Sequence, residues 1–245
     1  MFDHVTLRVA DLARSKQFYD LALETLDFSG TPYADETGAE WNDFAMYEGE
    51  PLTRRLHVAF AAPSRGHVDA FWRALTKAGH RDDGAPGPRS QYSPSYYGAF
   101  VLDPDGNSAE AVHGGDPRTD GGVIDHLWLR VRSVEETERF YATIASVLDV
   151  ELREGSPEWM VGLRAPDDVA SCSFVSGDEP TENVHLAFPA PDRATVDEFH
   201  RVALAAGYRD NGGPGERPQY HPGYYGAFVL DPDGTNVEAV FHDRD

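Results

Sequence analysis

The sequence predicts an α+β fold built from four β-α-β-β-β units, two in each half of a duplicated chain. Residues 97–106 recur unchanged as residues 225–234, and residues 43–113 align without a gap on residues 171–241. Short stretches of alternating apolar side chains, typical of strands, are interleaved with stretches of helical periodicity. These three observations indicate a repeated mixture of sheets and helices.

Within the first half, residues 3–9 alternate between polar and apolar side chains, which predicts a strand. Residues 12–25 carry apolar side chains at helical spacing, including Phe18, Tyr19 and Leu23, and predict a helix. The other predicted elements of this half are strands near 27–33, 39–42, 43–48, 55–61, 97–102 and 107–113 and a helix over 64–78.

The second half repeats this order after Gly114–Gly122, a segment whose Gly, Asp, Pro and Thr residues are typical of a linker. We therefore expect two domains, at residues 1–115 and 122–245. The predicted strands of the second domain are 124–131, 149–154, 158–164, 170–175, 183–189, 225–230 and 236–242, and its helices are 134–148 and 193–206.

The composition argues against several classes of function. The 245 residues include 42 acidic and 21 basic side chains, and a net charge of −21 repels nucleic acids and anionic lipids. Without a long apolar run or the features of a signal peptide, we expect a cytoplasmic protein with no membrane span. The single cysteine, Cys172, excludes an intramolecular disulfide and a cysteine-rich zinc site.

Both halves retain the same set of two histidines and one glutamate on predicted strands. The retained residues are His4, His57 and Glu110 in the first half and His126, His185 and Glu238 in the second. Two imidazoles and one carboxylate suit a divalent metal and leave coordination positions open, as catalytic sites require. The alternative is that these residues are buried polar groups that hydrogen-bond to one another.

The retained residues and the element order resemble the vicinal oxygen chelate superfamily, which includes glyoxalase I, extradiol dioxygenases and bleomycin resistance proteins. The His-x-Ala-Phe segments at His57 and His185 and the Asp-Pro-Asp-Gly turns before Glu110 and Glu238 carry the resemblance. It implies cup-shaped mixed-sheet half-barrels with helices outside, and the six retained residues as ligands of up to two Fe, Mn, Ni, Co or Zn ions. The β-α-β-β-β units pair either within each half of the chain or with the other half. If the first unit pairs with the fourth, His4 joins His185 and Glu238.

Several positions depart from individual members of that superfamily. Asp43 and Glu48, on the strand that gives glyoxalase I a fourth ligand, face serines in the other copy. Phe100 and Phe228 stand where ring-cleaving dioxygenases carry a tyrosine. The last two strands of each half lack the basic residues of fosfomycin transferases. These departures favour a metal-dependent member with a different activity.

The Asp-Pro-Asp-Gly segments predict type I turns whose register sets Phe100 opposite Glu110 and Phe228 opposite Glu238, as apolar pocket floors. The same alternation turns one tyrosine of each half inward, where it donates a proton or a hydrogen bond or simply packs. The predicted catalytic residues are Tyr96, Tyr224, Glu110 and Glu238.

Other predicted pocket residues make the two copies unequal. Arg8 and Arg130 share the inward face with the first histidine of each set, to hold a substrate carboxylate or to pair with an acid at the rim. The second half has Trp128 at the position where the first half has Thr6, so the two pockets differ in shape. His221 has no histidine counterpart in the other copy and would be an acid or base for one pocket alone.

The sequence therefore predicts a metal-dependent lyase, isomerase or oxygenase that acts on a small oxygenated molecule. The alternative is a protein that sequesters a small molecule or antibiotic without turnover, in which case the acidic surface would suit a cationic drug. The sequence leaves the oligomeric state open.

Overall fold

The computed structural model describes residues 1–28, 33–114, 122–154, 160–165 and 170–243. No helix within these ranges is both long and apolar enough to cross a membrane. The strands are β1 (His4–Val9), β2 (Tyr33–Ala34), β3 (Gly38–Trp41), β4 (Phe44–Glu48), β5 (His57–Ala61), β6 (Asp82–Pro88), β7 (Tyr97–Leu102), β8 (Ser108–His113), β9 (Ile124–Val131), β10 (Glu151–Glu154), β11 (Met160–Arg164), β12 (Ser171–Ser176), β13 (His185–Pro189), β14 (Arg209–Glu216), β15 (Tyr224–Leu230) and β16 (Asn236–His242). The helices are α1 (Leu12–Glu24), α2 (Arg65–Lys77), α3 (Val134–Ala145) and α4 (Arg193–Ala205).

The predicted α+β class and the four βαβββ modules are confirmed. The strands form two eight-stranded sheets, in the orders β14-β15-β16-β13-β1-β4-β3-β2 and β10-β11-β12-β9-β5-β8-β7-β6. Strand β1 pairs antiparallel with β13, so that Thr6 lies opposite His185. Strand β9 pairs antiparallel with β5, so that Trp128 lies opposite His57. Of the two pairings left open by the sequence, the exchanged one is therefore present.

Contacts divide the chain into two compact units whose boundaries fall inside β1 and β9. One unit comprises Met1–Thr6 and Leu129–Asp245, and the other comprises Leu7–Trp128. His4 therefore lies in the same compact unit as the fourth βαβββ module, which runs from β13 to β16. His126 lies in the same compact unit as the second module, which runs from β5 to β8. The domain limits predicted from the repeat, 1–115 and 122–245, remain a prediction about how the chain is organised.

In the unit Leu7–Trp128, an aromatic core holds helix α1 on the strands. The ring of Tyr19 lies 4.8 Å from that of Phe44, which lies 5.2 Å from Phe60, and all three side chains are fully buried. Burial of each such side chain contributes about 1.5–3 kcal/mol. The Tyr19 hydroxyl donates to Asp103 Oδ2 at 2.9 Å, while Asp103 Oδ1 accepts the backbone N–H of Asn107 at 2.8 Å. The Asp-Pro-Asp-Gly turn is thus a structural element.

In the other compact unit the equivalent turn is less well satisfied. Asp231 Oδ1 accepts the backbone N–H groups of Asp233 and Thr235, at 2.9 and 2.8 Å. Among the described residues, however, Asp231 Oδ2 and the buried hydroxyl of Tyr141 have no hydrogen-bond partner. Burial raises the pKa of Asp231 to about 6. The two copies of this turn therefore differ in how completely their buried polar atoms are hydrogen-bonded.

The sequence analysis predicted no strand where β6 and β14 lie, in segments that are rich in glycine and proline. Both are edge strands, where a proline leaves no hydrogen bond of the ladder unmade. Their pairing is irregular, with register shifts around Gly84 and around Gly212. The glycines accommodate these bulges, because Gly84 and Gly212 have φ values of +159° and +148°.

Candidate metal centres

The six retained residues form two groups, each inside one compact unit. Site A consists of His4, His185 and Glu238, and site B consists of His57, Glu110 and His126. In each group, one potential ligand atom from each residue lies within 4.8 Å of the other two. These are the six candidate residues predicted from the sequence, and each group draws one histidine from the other half of the chain.

Strand register explains this convergence. Ala187 on β13 lies between His4 on the antiparallel strand β1 and Glu238 on the parallel strand β16. Residues paired across a sheet share a face, so the side chains of His4 and Glu238 flank the small side chain of Ala187. His185 lies two residues before Ala187 on β13 and therefore points to the same face. Ala59 has the same place in site B, between Glu110 and His126. The alanines leave space between the ligand side chains.

The glutamates are almost completely buried and face the histidines through Oε2. His57 Nε2 lies 3.0 Å from Glu110 Oε2, and His185 Nε2 lies 2.9 Å from Glu238 Oε2. The second histidine of each site is farther from the same oxygen, at 3.6 Å for His126 and 3.7 Å for His4. One imidazole is therefore hydrogen-bonded to the carboxylate and the other is not.

The more distant histidines have an aspartate behind the ring. His4 Nδ1 lies 2.8 Å from Asp3 Oδ1, and His126 Nδ1 lies 2.7 Å from Asp125 Oδ1. An imidazole that donates from Nδ1 to a carboxylate keeps a lone pair on Nε2 when it is neutral. That lone pair faces the glutamate oxygen, and either a proton or a cation relieves the repulsion. An aspartate–histidine pair of this kind is characteristic of metal-binding histidines.

The charges around His126 also favour positive charge at the site. Burial disfavours the imidazolium, but the hydrogen bond to Asp125 and the charge of Glu110 outweigh burial and raise the pKa of His126. At the other site, burial of Asp3 is outweighed by hydrogen bonds from His242 and His4, which hold the pKa of Asp3 well below its usual range. Both sites therefore present negative potential to a cation.

The predicted inward tyrosines contact the remaining glutamate oxygen. Tyr96 donates to Glu110 Oε1 at 2.8 Å, and Tyr224 donates to Glu238 Oε1 at 2.7 Å. Burial and the neighbouring carboxylate raise the pKa of both tyrosines well above the usual range, so both remain protonated donors.

One glycine beside each tyrosine is required by this arrangement. A Cβ on Gly98 would collide with Glu110 Oε1, and a Cβ on Gly226 would collide with Glu238 Oε1. The sequence analysis did not single out these glycines, although both lie in the segment that the two halves share unchanged. The aspartates before His4 and His126 were missed as well, although Asp-His recurs in both copies.

Comparison with known proteins identifies the family. A model of the Glyoxalase/Bleomycin resistance protein/Dioxygenase superfamily matches residues 1–111 and again residues 123–239. The chain belongs to this superfamily. The resemblance inferred from the sequence is therefore confirmed, and so is the duplication. None of the curated proteins matches the chain significantly.

Solved structures agree with this assignment at the level of the fold. Glyoxalase I from Zea mays superposes with a TM-score of 0.71 at 19% sequence identity, over 98% of this chain and 92% of that one. A putative dioxygenase from Bacillus subtilis gives a TM-score of 0.64 at 14% identity, over 99% of this chain and 85% of that one. At such identities the likeness concerns the fold alone.

Two acids that could have supplied a fourth ligand in this superfamily member have other partners. Asp43 Oδ1 accepts the backbone N–H of Val123 at 2.7 Å, and Asp43 is buried. Glu48 Oε2 accepts the N–H of Leu12, at the first turn of α1, at 2.9 Å. Each carboxylate therefore satisfies a backbone donor, which agrees with a three-residue ligand set.

The predicted pocket floors lie in the predicted register. Phe100 pairs with Glu110, and Phe228 pairs with Glu238. The guanidinium of Arg89 lies 5.4 Å from the ring centroid of Phe100 and also donates to Ala85 O at 2.8 Å. The equivalent contacts recur beside Phe228, so a cation–π contact supports the floor of both sites.

The walls of the two sites differ. The Trp128 ring lies 6.0 Å from His57 and 6.4 Å from His126, and Tyr92 meets it edge-on at 5.5 Å. Thr6 takes the equivalent place in site A, opposite His185. Site B is therefore enclosed by an additional aromatic wall.

Arg8 and Arg130, the other predicted pocket residues, are both exposed. The Arg8 guanidinium lies beside Gly49, and the aliphatic part of the Arg130 side chain packs beside Gly177. A role for either arginine in holding a substrate carboxylate stays a prediction.

Proposed function

We propose that this superfamily member is a metal-dependent lyase or isomerase that acts on a small molecule with two neighbouring oxygen atoms. Sites A and B would each hold one divalent ion, Fe, Mn, Ni, Co or Zn, through two imidazole nitrogens and one carboxylate oxygen. The observation that carries the proposal is the convergence, within 4.8 Å, of the three ligand atoms in both sites.

The spacing of the donor atoms supports a metal. In each site, Nε2 of both histidines lies within 3.7 Å of the same carboxylate oxygen, a spacing that suits three ligands of one ion. When bound, a divalent metal supplies Lewis acidity toward oxygen atoms of the ligand.

Side chains of the two sites would orient the glutamate, accept the proton and exclude water. Tyr96 and Tyr224 hold Oε1 of each glutamate and stay protonated, so an abstracted proton would go to Oε2 of Glu110 or Glu238, which would then no longer hold the ion. The phenylalanine floor excludes water from that side of each site. A lyase or isomerase is favoured over ring cleavage because phenylalanines occupy the position where ring-cleaving relatives carry a tyrosine.

Elemental analysis tests the metal requirement. After reconstitution with each candidate metal, the wild type should hold about two equivalents, and His57→Ala and His185→Ala should each hold about one. His67→Ala and His200→Ala are matched controls, because these histidines pair with the surface residues Asp27 and Asp210, and they should keep both. A wild type without bound metal would contradict the proposal.

A bidentate probe tests the ligand class. Acetohydroxamate, which has two neighbouring oxygen atoms, should change the visible spectrum of the cobalt-loaded protein at concentrations where acetate does not. Product formed in excess of protein, only in the presence of metal, would distinguish an enzyme from a sequestering protein. Tight binding of a small molecule by metal-free protein would instead favour sequestration.

A further inference from the structure

We infer that His242 and His221 position the metal ligand His4 through Asp3, a support that site B does not possess. This inference rests on the proposed function, since it concerns the affinity of site A for its metal. It assigns a task to two histidines that have no histidine counterparts in the other copy.

The four residues form a continuous hydrogen-bonded chain within one compact unit. Asp3 Oδ1 lies 2.8 Å from His4 Nδ1, and Asp3 Oδ2 lies 2.9 Å from His242 Nε2. His242 Nδ1 lies 2.9 Å from His221 Nε2, and the two ring planes are inclined by only 22° with centroids 5.0 Å apart. The chain ends at the carbonyl of Pro222, 2.7 Å from His221 Nδ1.

The partners at the two ends fix the direction of the outer hydrogen bonds. A carbonyl only accepts, so His221 Nδ1 donates to Pro222 O, and a carboxylate only accepts, so His242 Nε2 donates to Asp3 Oδ2. The contact between His221 Nε2 and His242 Nδ1 joins the two rings.

Hydrogen bonds at both of its oxygens fix the carboxylate that orients His4. Hydrogen bonds to an ionised carboxylate are shorter and about twice as strong as those between neutral groups. Asp3 is therefore held at both oxygens, which fixes the His4 ring with Nε2 directed toward Glu238. Outer residues that orient a ligating histidine commonly contribute about 10- to 100-fold to metal affinity.

Site B has a simpler arrangement. Asp125 accepts from His126, but the residues equivalent to His242 and His221 are Gly114 and Ser93. The side chain of Asp125 is 27% exposed, against 18% for Asp3. The outer support of His126 is therefore weaker, and we expect site B to bind metal less tightly than site A.

Cobalt titration of His57→Ala, which retains site A alone, tests the inference. Adding His242→Leu should weaken binding about 10-fold, whereas His242→Gln, which can still donate to Asp3, should stay within about 3-fold of the parent. His200→Leu, on the same compact unit, is the control and should have no effect. Equal cobalt affinity in His242→Leu and its parent would overturn the inference.

The metal-free protein provides a second readout that separates the two proposals. Nitrogen-15 spectra of the imidazoles should show that His242 Nε2 carries a proton hydrogen-bonded to Asp3, and His221→Leu should change the spectrum of His242. A His242 Nε2 without a bound proton would overturn the inference even if metal binds. Failure of the parent to bind cobalt, with that proton present, would contradict the proposed function only.

Discussion

Sites A and B have the same candidate ligands and the same phenylalanine beside them, but different surroundings. Both combine two histidines, a buried glutamate, a tyrosine donor and a glycine that leaves room for the carboxylate. Site B adds the wall of Trp128, while site A has Thr6 and the chain from Asp3 to His221. The comparison indicates that duplication preserved the candidate ligand residues while the side chains around them changed.

The largest effect should follow from removal of a glutamate ligand. Glu238→Gln should weaken metal binding at site A at least about 100-fold and leave site B unchanged, and Glu110→Gln should do the reverse. Calorimetric titration of each variant measures both sites. Loss of both metals in either variant would show that the sites are not independent.

The glycines beside the glutamates should have the next largest effect. Gly226→Ala places a methyl group against Glu238 Oε1, so the carboxylate must move, and metal binding at site A should fall by about 10-fold or more. Gly98→Ala should act in the same way on site B. Gly114→Ala is the control, because a Cβ there meets nothing within 4 Å. Unchanged affinity in Gly226→Ala would contradict this account of the pocket geometry.

Exchange of the wall residues should have a moderate effect on ligand size selection. Trp128→Thr should improve the binding of benzohydroxamate at metal-loaded site B by roughly 10-fold relative to acetohydroxamate, because the wall is removed. Thr6→Trp should impose the opposite preference on site A. Titrations in variants that retain one site measure each ratio. Equal ratios before and after the exchange would mean that the tryptophan does not limit access.

The smallest effect concerns stability and distinguishes the two buried turns. The folded-state pKa of Asp231, about 6, exceeds its ordinary value of 3.8, so this group makes the wild type less stable as pH rises from about 4 to 6. Asp231→Asn keeps an oxygen for the backbone donors and removes the buried charge. It should therefore stabilise the protein by about 1–2 kcal/mol above pH 6, and less at pH 4.

Asp103→Asn is the matched comparison. Asp103 Oδ2 accepts from both Tyr19 and the Asn107 side chain, and an amide nitrogen at that place cannot accept from either. This variant should lower stability by about 1–3 kcal/mol. Thermal unfolding across pH measures both variants. A pH-independent difference between Asp231→Asn and wild type would show that Asp231 does not titrate in this range.

The sequence predicted those parts of the site that depend on repetition and on strand periodicity. The six candidate ligand residues recur at matched positions, and alternation correctly placed Phe100 opposite Glu110 and Tyr96 on the same face. The exchanged pairing of modules could not be derived, because strand patterns are identical whichever neighbour they pair with. Strands β6 and β14 were missed because edge strands tolerate proline and glycine.

The outer contacts were the least predictable part of the site. His242 lies far from Asp3 in sequence, and it has no histidine counterpart in the other copy, so a search for shared residues passes over it. His221 was noted as a group specific to one pocket, but its partners depend on how β16 and the start of the chain meet. Features that distinguish the two sites are those that repetition cannot reveal.

The most direct test of the account is the metal content of two double variants. Because site A joins His4 to His185, His4→Ala/His185→Ala should remove one site and keep about one equivalent of metal. Because His57 belongs to site B, His4→Ala/His57→Ala should keep none. The reverse result, with metal kept only when His4 and His57 are both replaced, would show that each site is built within one half of the chain and would contradict the account.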